Sequence, residues 1–177
     1  MDTKTLRNAV LFFCLAAVAL PVLTYRWNMQ IIPNGSDHYY MIDVGEDQVV
    51  LNLWGTLHMT GYPHYVILSS ALVSVFKTFG MDSAAAPAYT SLIWGIGALI
   101  GLYALIIGLR KQIELKAVMT ALIVIPLFGF TRTVWIHNTI AEVYTFGLLL
   151  LVILLWLALR PNAEKNGAKT IYWLALI

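Results

Sequence analysis

Apolar residues gather in long blocks along this chain, at Ala9 to Tyr25, His64 to Phe79, Ala88 to Leu109, Ala117 to Phe130 and Val143 to Leu159, and another run begins at Ile171. A membrane-spanning helix takes about 20 predominantly apolar residues, a length that the block at 88–109 meets most clearly. The block at 64–79 is the weakest, being short and carrying Lys77. The pattern predicts an all-α, polytopic transmembrane helical bundle forming a single domain. Residues 1–25 are its signal anchor and first helix, 26–63 an outer loop, 64–160 the remaining helices, and 161–177 a polar connector with the start of a further helix. The last run, Ile171 to Ile177, is too short to span, so the chain reads as truncated.

The first block follows Lys4 and Arg7, as in a signal peptide or an uncleaved anchor. Ala17-Val-Ala19 resembles a cleavage site, but the apolar run continues through Pro21, Val22 and Leu23, which favours the anchor. The 26–63 stretch carries Asp37, Asp43, Glu46 and Asp47 against Arg26. Basic residues stay in the cytoplasm, so this loop is expected to face outward, with the amino terminus cytoplasmic. If every block crosses, Arg110, Lys111 and Lys116 and then Arg160, Lys165 and Lys169 fall outside, against that rule. If 64–79 dips in and returns on the outer side, both clusters fall inside and residues 131–142 join the first loop. The second reading is preferred, although a short helix with a buried lysine can also cross by snorkelling.

Composition agrees with the blocks. Of 177 residues 60% are apolar and 11% charged, where soluble domains carry about a quarter charged. Mean hydropathy is +0.77. The net charge of +2 leaves no nucleic-acid footprint. Cys14, alone in an apolar run, supports neither a disulfide nor a thiolate site. The histidines at 38, 58, 64 and 137 show no H-x-x-x-H spacing, so no protein-only metal site is expected. There is no P-loop, no dinucleotide fingerprint and no nucleophile elbow. Asn34-Gly-Ser36 is a formal glycosylation sequon.

Two polar constellations can carry chemistry. Asp43-Val-Gly-Glu46 precedes Val50, Leu53, Trp54 and Leu57, which recur at the spacing of an interfacial amphipathic helix. Asp43 and Glu46 stand in capping-box register, which would satisfy free backbone N–H groups without catalysis. A carboxylate at the membrane surface, near a helix N-terminus able to hold phosphate, can equally take a proton from an acceptor hydroxyl. The readings are compatible if one carboxylate caps and the other reacts. In Trp135-Ile-His137-Asn138-Thr139-Ile-Ala-Glu142-Val-Tyr144 the register recurs with Thr139 and Glu142 at the head of the last full block. Arg132 is either a counter-charge for a phosphate or a solvated interfacial arginine.

These segments resemble a known family. D-V-G-E at 43–46, Gly55, His58 and Gly61-Tyr62-Pro63 are similar to the D-S-G-E and L-G-x-x-H-P-P-G-Y-P signature of bacterial protein O-mannosyltransferase-like membrane proteins, in the GT-C superfamily of glycosyltransferases. Trp135 and Ala141-Glu142-Val143-Tyr144 match that family's W-S-Q-x-x-x-A-E-V-Y segment in register. The likeness covers roughly residues 37–160. Val44 replaces the serine, Met59-Thr60 replace both prolines and His137 replaces the glutamine, so the backbone before Gly61 is expected to be less rigid.

The resemblance implies an integral enzyme of the bacterial inner (plasma) membrane that moves a sugar from a polyprenyl-phosphate donor to a protein or glycan acceptor on the outer face. Carried over by position, Asp43 matches the acidic residue that acts as base, Glu46 its acidic neighbour and Glu142 the second acidic position. His58 and Tyr62 match positions near the donor path. Arg132 or His58 would steady the phosphate, and His137 stands among the substrate-binding positions. No cofactor is demanded; a divalent metal oriented by Glu46 or Glu142 stays open, as does a membrane complex. GT-C enzymes normally have around a dozen helices, so this chain would supply part of the cavity wall. The alternative is a noncatalytic membrane subunit or binding module derived from the family, its acidic loop used for docking. A transporter ranks last, because apart from Lys77 the blocks carry almost no mid-helix ionisable residues.

Overall fold

The computed structural model describes residues 3–34, 42–108 and 115–159. Asp37, His38, Ser36 of the sequon, Arg110, Lys111 and everything from Arg160 onward lie outside them. Along the described residues run α1 (Thr3–Trp27), α2 (Ile42–Leu53), α3 (Pro63–Thr78), α4 (Ala86–Gly108), α5 (Leu115–Gly129), α6 (Arg132–Thr139) and α7 (Tyr144–Leu159). The fold is an all-helical bundle, and α4 packs against all six of the other helices. Asn8–Trp27 and Ala86–Gly108 are long and apolar enough to cross a membrane, and α5 with α6 forms a third candidate span bent by 68°. α7 is apolar on every side but, at 16 residues, extends only about 24 Å. Leu11, Phe12, Leu15, Leu23, Ile123 and Leu127 face outward from α1 and α5, as lipid-facing side chains do. This is a membrane protein.

Two apolar clusters hold the bundle. Ala17, Val18, Tyr25, Leu99, Tyr103, Ala121 and Ile125 join α1, α4 and α5. Val50, Leu51, Leu57, Tyr65, Val73 and Phe146 join α2, α3 and α7. Close approach of α4 to α7 depends on Gly101, where a Cβ would stand 2.8 Å from Val152 Cγ1. The Tyr103 hydroxyl donates to Val10 O at 3.1 Å, and the Tyr25 hydroxyl to Gly129 O. These contacts set α4 antiparallel to α1 and α5 parallel to it.

The short third block does not carry the chain to the other end of this bundle. α3 is one continuous helix lying along α2, not a hairpin. Tyr62, at its start, shares a cavity with Glu142. At its far end Lys77 Nζ donates to Asn52 Oδ1 at 3.0 Å, and Gln48 Nε2 donates to Ala84 O at 2.8 Å. Both ends of α3 therefore stay with α2, at the end of the bundle where α1 finishes, and Lys116 lies at the opposite end.

The amphipathic stripe read from the sequence is only partly realised. α2 stops at Leu53 because Trp54 turns left-handed (φ 55°). Val44, Val50 and Leu51 are buried, while Leu53 and Trp54 are exposed and Leu57 reaches the core from the following loop. Among the described residues, α6 is the helix that neither an apolar block nor the amphipathic stripe foretold.

Candidate functional site

Neither capping box forms. Asp43 lies in the first turn of α2, and Glu46 reaches forward, not back. Its Oε1 accepts the His58 backbone N–H at 2.7 Å and its Oε2 the His58 Nδ1–H at 2.6 Å. A tertiary partner with two donors in reach displaces the local cap. Thr139 ends α6 with its hydroxyl donating to Ile136 O, and Glu142 stands in the turn before α7.

The loop between α2 and α3 is shaped by that carboxylate. Thr60, Gly61 and Tyr62 are consecutively left-handed (φ 81°, 63° and 41°), a conformation costly for side chains other than glycine. Gly61 N donates to His58 O at 2.9 Å, so the Glu46–His58 contact anchors the base of the turn. Pro63 then opens α3 at a position where its fixed φ fits and no amide donor is needed. Where the two prolines are missing, hydrogen bonds from His58 to Glu46 and from Gly61 to His58 cross the turn.

Glu142 is held from the other side. Its backbone N–H donates to Ser91 Oγ at 3.0 Å, and the Ser91 hydroxyl donates to Glu142 O at 3.1 Å. Gln30 N donates to Thr139 O at 2.8 Å, tying the segment after α1 to the turn that carries Glu142.

Asp43, Asp47, His58, Tyr62, Glu142 and Tyr144 thereby line one small cavity of about 70 Å³. Asp47, 3% exposed, lies one helical turn beyond Asp43 and faces the same space. Burial pushes its carboxyl up to about 8, with the charges of Glu142, Glu46 and Asp43 adding to the effect. Burial and then Asp43 push Glu142 up to about 7, against the opposing pull of the Val143 N–H and His58. The hydrogen bond to Glu46 raises His58, favouring the imidazolium. The site thus offers carboxyl groups raised to about 7 and 8 beside an imidazole whose protonated form Glu46 favours, an arrangement suited to moving a proton.

Across the wall formed by Tyr62, Val143 and Tyr144 lies an apolar groove of about 510 Å³ between α3 and α7, floored by Tyr65, Phe146 and Leu150. Of the residues expected at the site, Asp43, His58, Tyr62 and Glu142 come together in the cavity, with Glu46 bonded to His58. Arg132 does not join them: it is exposed at the first residue of α6, about 10 Å along the helix from Thr139. His137 packs its ring on Tyr144 at 4.6 Å and lines a separate pocket with Phe128 and Leu148. Sequence reasoning missed Asp47 and Ser91 as site residues. The four-residue step from Asp43 was the available signal for the first; nothing local marked the second.

A family model described as Protein O-mannosyl-transferase TMEM260 N-terminal domain matches residues 43–177. The chain belongs to that family. The match to this O-mannosyl-transferase N-terminal domain begins at Asp43 and takes in every helix from α3 to α7. No curated protein and no solved structure matches the chain.

Proposed function

We propose that this chain is the amino-terminal part of a GT-C-type glycosyltransferase that transfers a sugar from a polyprenyl-phosphate donor to a hydroxyl acceptor at the outer face of a bacterial inner membrane. The observation that carries the reading is the acidic cavity sharing a wall with an apolar groove. A polyprenyl-phosphate sugar has the same two halves, a long apolar tail and a polar head. Family membership supports sugar transfer, and the matched segment is by its description an amino-terminal domain, so the activity belongs to the whole protein.

In this mechanism Asp43 takes the acceptor's proton as its oxygen attacks the anomeric carbon in line. The bond from that carbon to the lipid phosphate breaks, its electron pair leaves on the phosphate, and configuration inverts. His58, held by Glu46, steadies the departing phosphate, and Glu142 orients the acceptor. With α3 keeping both ends beside α2, the acidic loop and Glu142 face outward, and the amino terminus and Lys116 stay cytoplasmic.

The test is transfer by the full-length protein in vesicles supplied either with polyprenyl-phosphate mannose or with a nucleotide-linked mannose. Product from the lipid donor alone supports the reading. Product from the nucleotide sugar, or none from either with correctly inserted protein, overturns it.

A further inference from the structure

We propose that Asp43, Glu46 and His58 form a binding site for a single divalent transition-metal cation, with Asp47 closing its buried side. Each of the three offers one donor atom, and these atoms all lie within 4.8 Å of one another. Three donors sharing one ion with bonds of roughly 2.1 Å stand about 3.0–3.4 Å apart, so the set closes with side-chain shifts on the order of an ångström. Asp43 and Glu46 are half-buried and His58 is exposed, so the shift falls on side chains that are not locked in the core.

The second observation is independent of that cluster. Asp47 lines the same cavity as Asp43 and His58, is 3% exposed, and its Oδ1 meets no hydrogen-bond donor. A buried carboxyl oxygen without a partner is rare in folded proteins, and a cation among the other three would set a positive charge across the cavity from it.

Charge points the same way. Glu142, Glu46 and Asp43 all lie close enough to act on Asp47, and among the described residues no lysine or arginine lines the cavity that Asp43, Asp47 and Glu142 share. Lys77 donates to Asn52, Arg26 stacks on the Tyr89 ring at 5.5 Å and Arg132 sits at the far end of α6. His58 is the one basic side chain among the cavity-lining residues.

Carboxylates with one imidazole and no sulfur favour Mn²⁺ or Zn²⁺ over Ca²⁺, and Mg²⁺ is disfavoured by the imidazole. The ion replaces the proton between His58 Nδ1 and Glu46, so binding releases a proton. It takes one Asp43 oxygen and leaves the other toward the acceptor. The presence of the site does not depend on the glycosyl-transfer reading; that reading bears only on the donor phosphate as the group the ion would meet.

The experiment is Mn²⁺ titration of the purified full chain in detergent micelles without any sugar donor, followed by electron paramagnetic resonance. One Mn²⁺ per chain is expected, with a nitrogen coupling in the pulsed spectrum that disappears in His58→Ala. Asp43→Asn and Asp47→Asn should each weaken binding at least tenfold. Asp47→Asn preserves shape and packing, so it reports on the site even if His58→Ala disturbs the loop. Absence of stoichiometric uptake by folded protein, or uptake with no nitrogen coupling, overturns the proposal. Mn²⁺ binding with no sugar transfer would leave the site standing and remove the enzymatic reading.

Discussion

Ser91 and Glu142, from α4 and from the turn before α7, hold each other through two hydrogen bonds that use one hydroxyl and both backbone polar groups of the glutamate. Ser91 is fully buried. Its hydroxyl therefore fixes where the Glu142 carboxylate emerges, without touching the carboxylate itself. Ser91→Ala leaves a buried N–H and C=O unpaired, a loss of about 1–3 kcal/mol. We expect thermal unfolding to shift down accordingly and transfer to fall, with Ser91→Thr restoring part of both. Unchanged stability in Ser91→Ala would mean that the turn is held by other contacts.

Asp43 is the residue on which the proposed chemistry depends most. Asp43→Asn keeps size and polarity but cannot take a proton, and general-base contributions run to about 10²–10⁴-fold. The expected outcome is a loss of transfer of that order, with unfolding temperature and membrane insertion unchanged. Arg132→Ala, by contrast, should leave transfer within about twofold, because α6 carries that guanidinium away from the cavity. Initial rates with the lipid donor check both variants.

The bundle was legible in the sequence to within a few residues. The blocks at 88–109, 117–130 and 143–159 correspond to Ala86–Gly108, Leu115–Gly129 and Tyr144–Leu159, since an unbroken apolar run leaves a helix as the structure that satisfies its backbone in lipid. α6 escaped because its eight residues mix charge, amide and aromatic side chains without a stripe. The capping boxes misled for a different reason. Spacing says that Glu46 can reach its own helix start, but His58, twelve residues on, offers two donors at once, and that competition is decided by the loop's path. Likewise, no spacing along the chain marks His58 as a neighbour of Asp43 and Glu46; the path of the loop after α2 brings that histidine beside the two carboxylates.

The buried carboxyls predict a pH dependence of stability. Asp47 rises from 3.8 to about 8 on folding, and Glu142 from 4.5 to about 7, each chiefly through burial. A raised carboxyl binds its proton more tightly folded than unfolded, so its contribution is complete below about pH 4 and is lost as pH climbs through 7 and 8. With divalent ions chelated, the unfolding temperature should therefore decline from pH 5 to pH 9. Asp47→Asn, permanently neutral, should be the more stable protein at pH 8 and show a shallower decline. An identical slope in the variant would show that Asp47 is not buried as the fold places it.

Packing of α1 against α5 offers a test of the fold apart from its chemistry. At Gly129 an added Cβ would lie 2.9 Å from Pro21 Cβ and 2.9 Å from the Tyr25 hydroxyl oxygen. Neither neighbour can yield easily, since the proline ring is rigid and both residues are fully buried. Gly129→Ala must push the two helices apart and loosen the Tyr25 hydrogen bond to Gly129 O, at a cost of about 1–3 kcal/mol. Gly80→Ala is the contrasting control: open space surrounds it, and only its left-handed φ of 82° resists a side chain. We expect Gly129→Ala to lower the unfolding temperature in detergent by more than Gly80→Ala and to expose Cys14, packed against the cluster that joins α1, α4 and α5, to thiol reagents. Equal unfolding temperatures for the two variants would place α5 elsewhere than against α1.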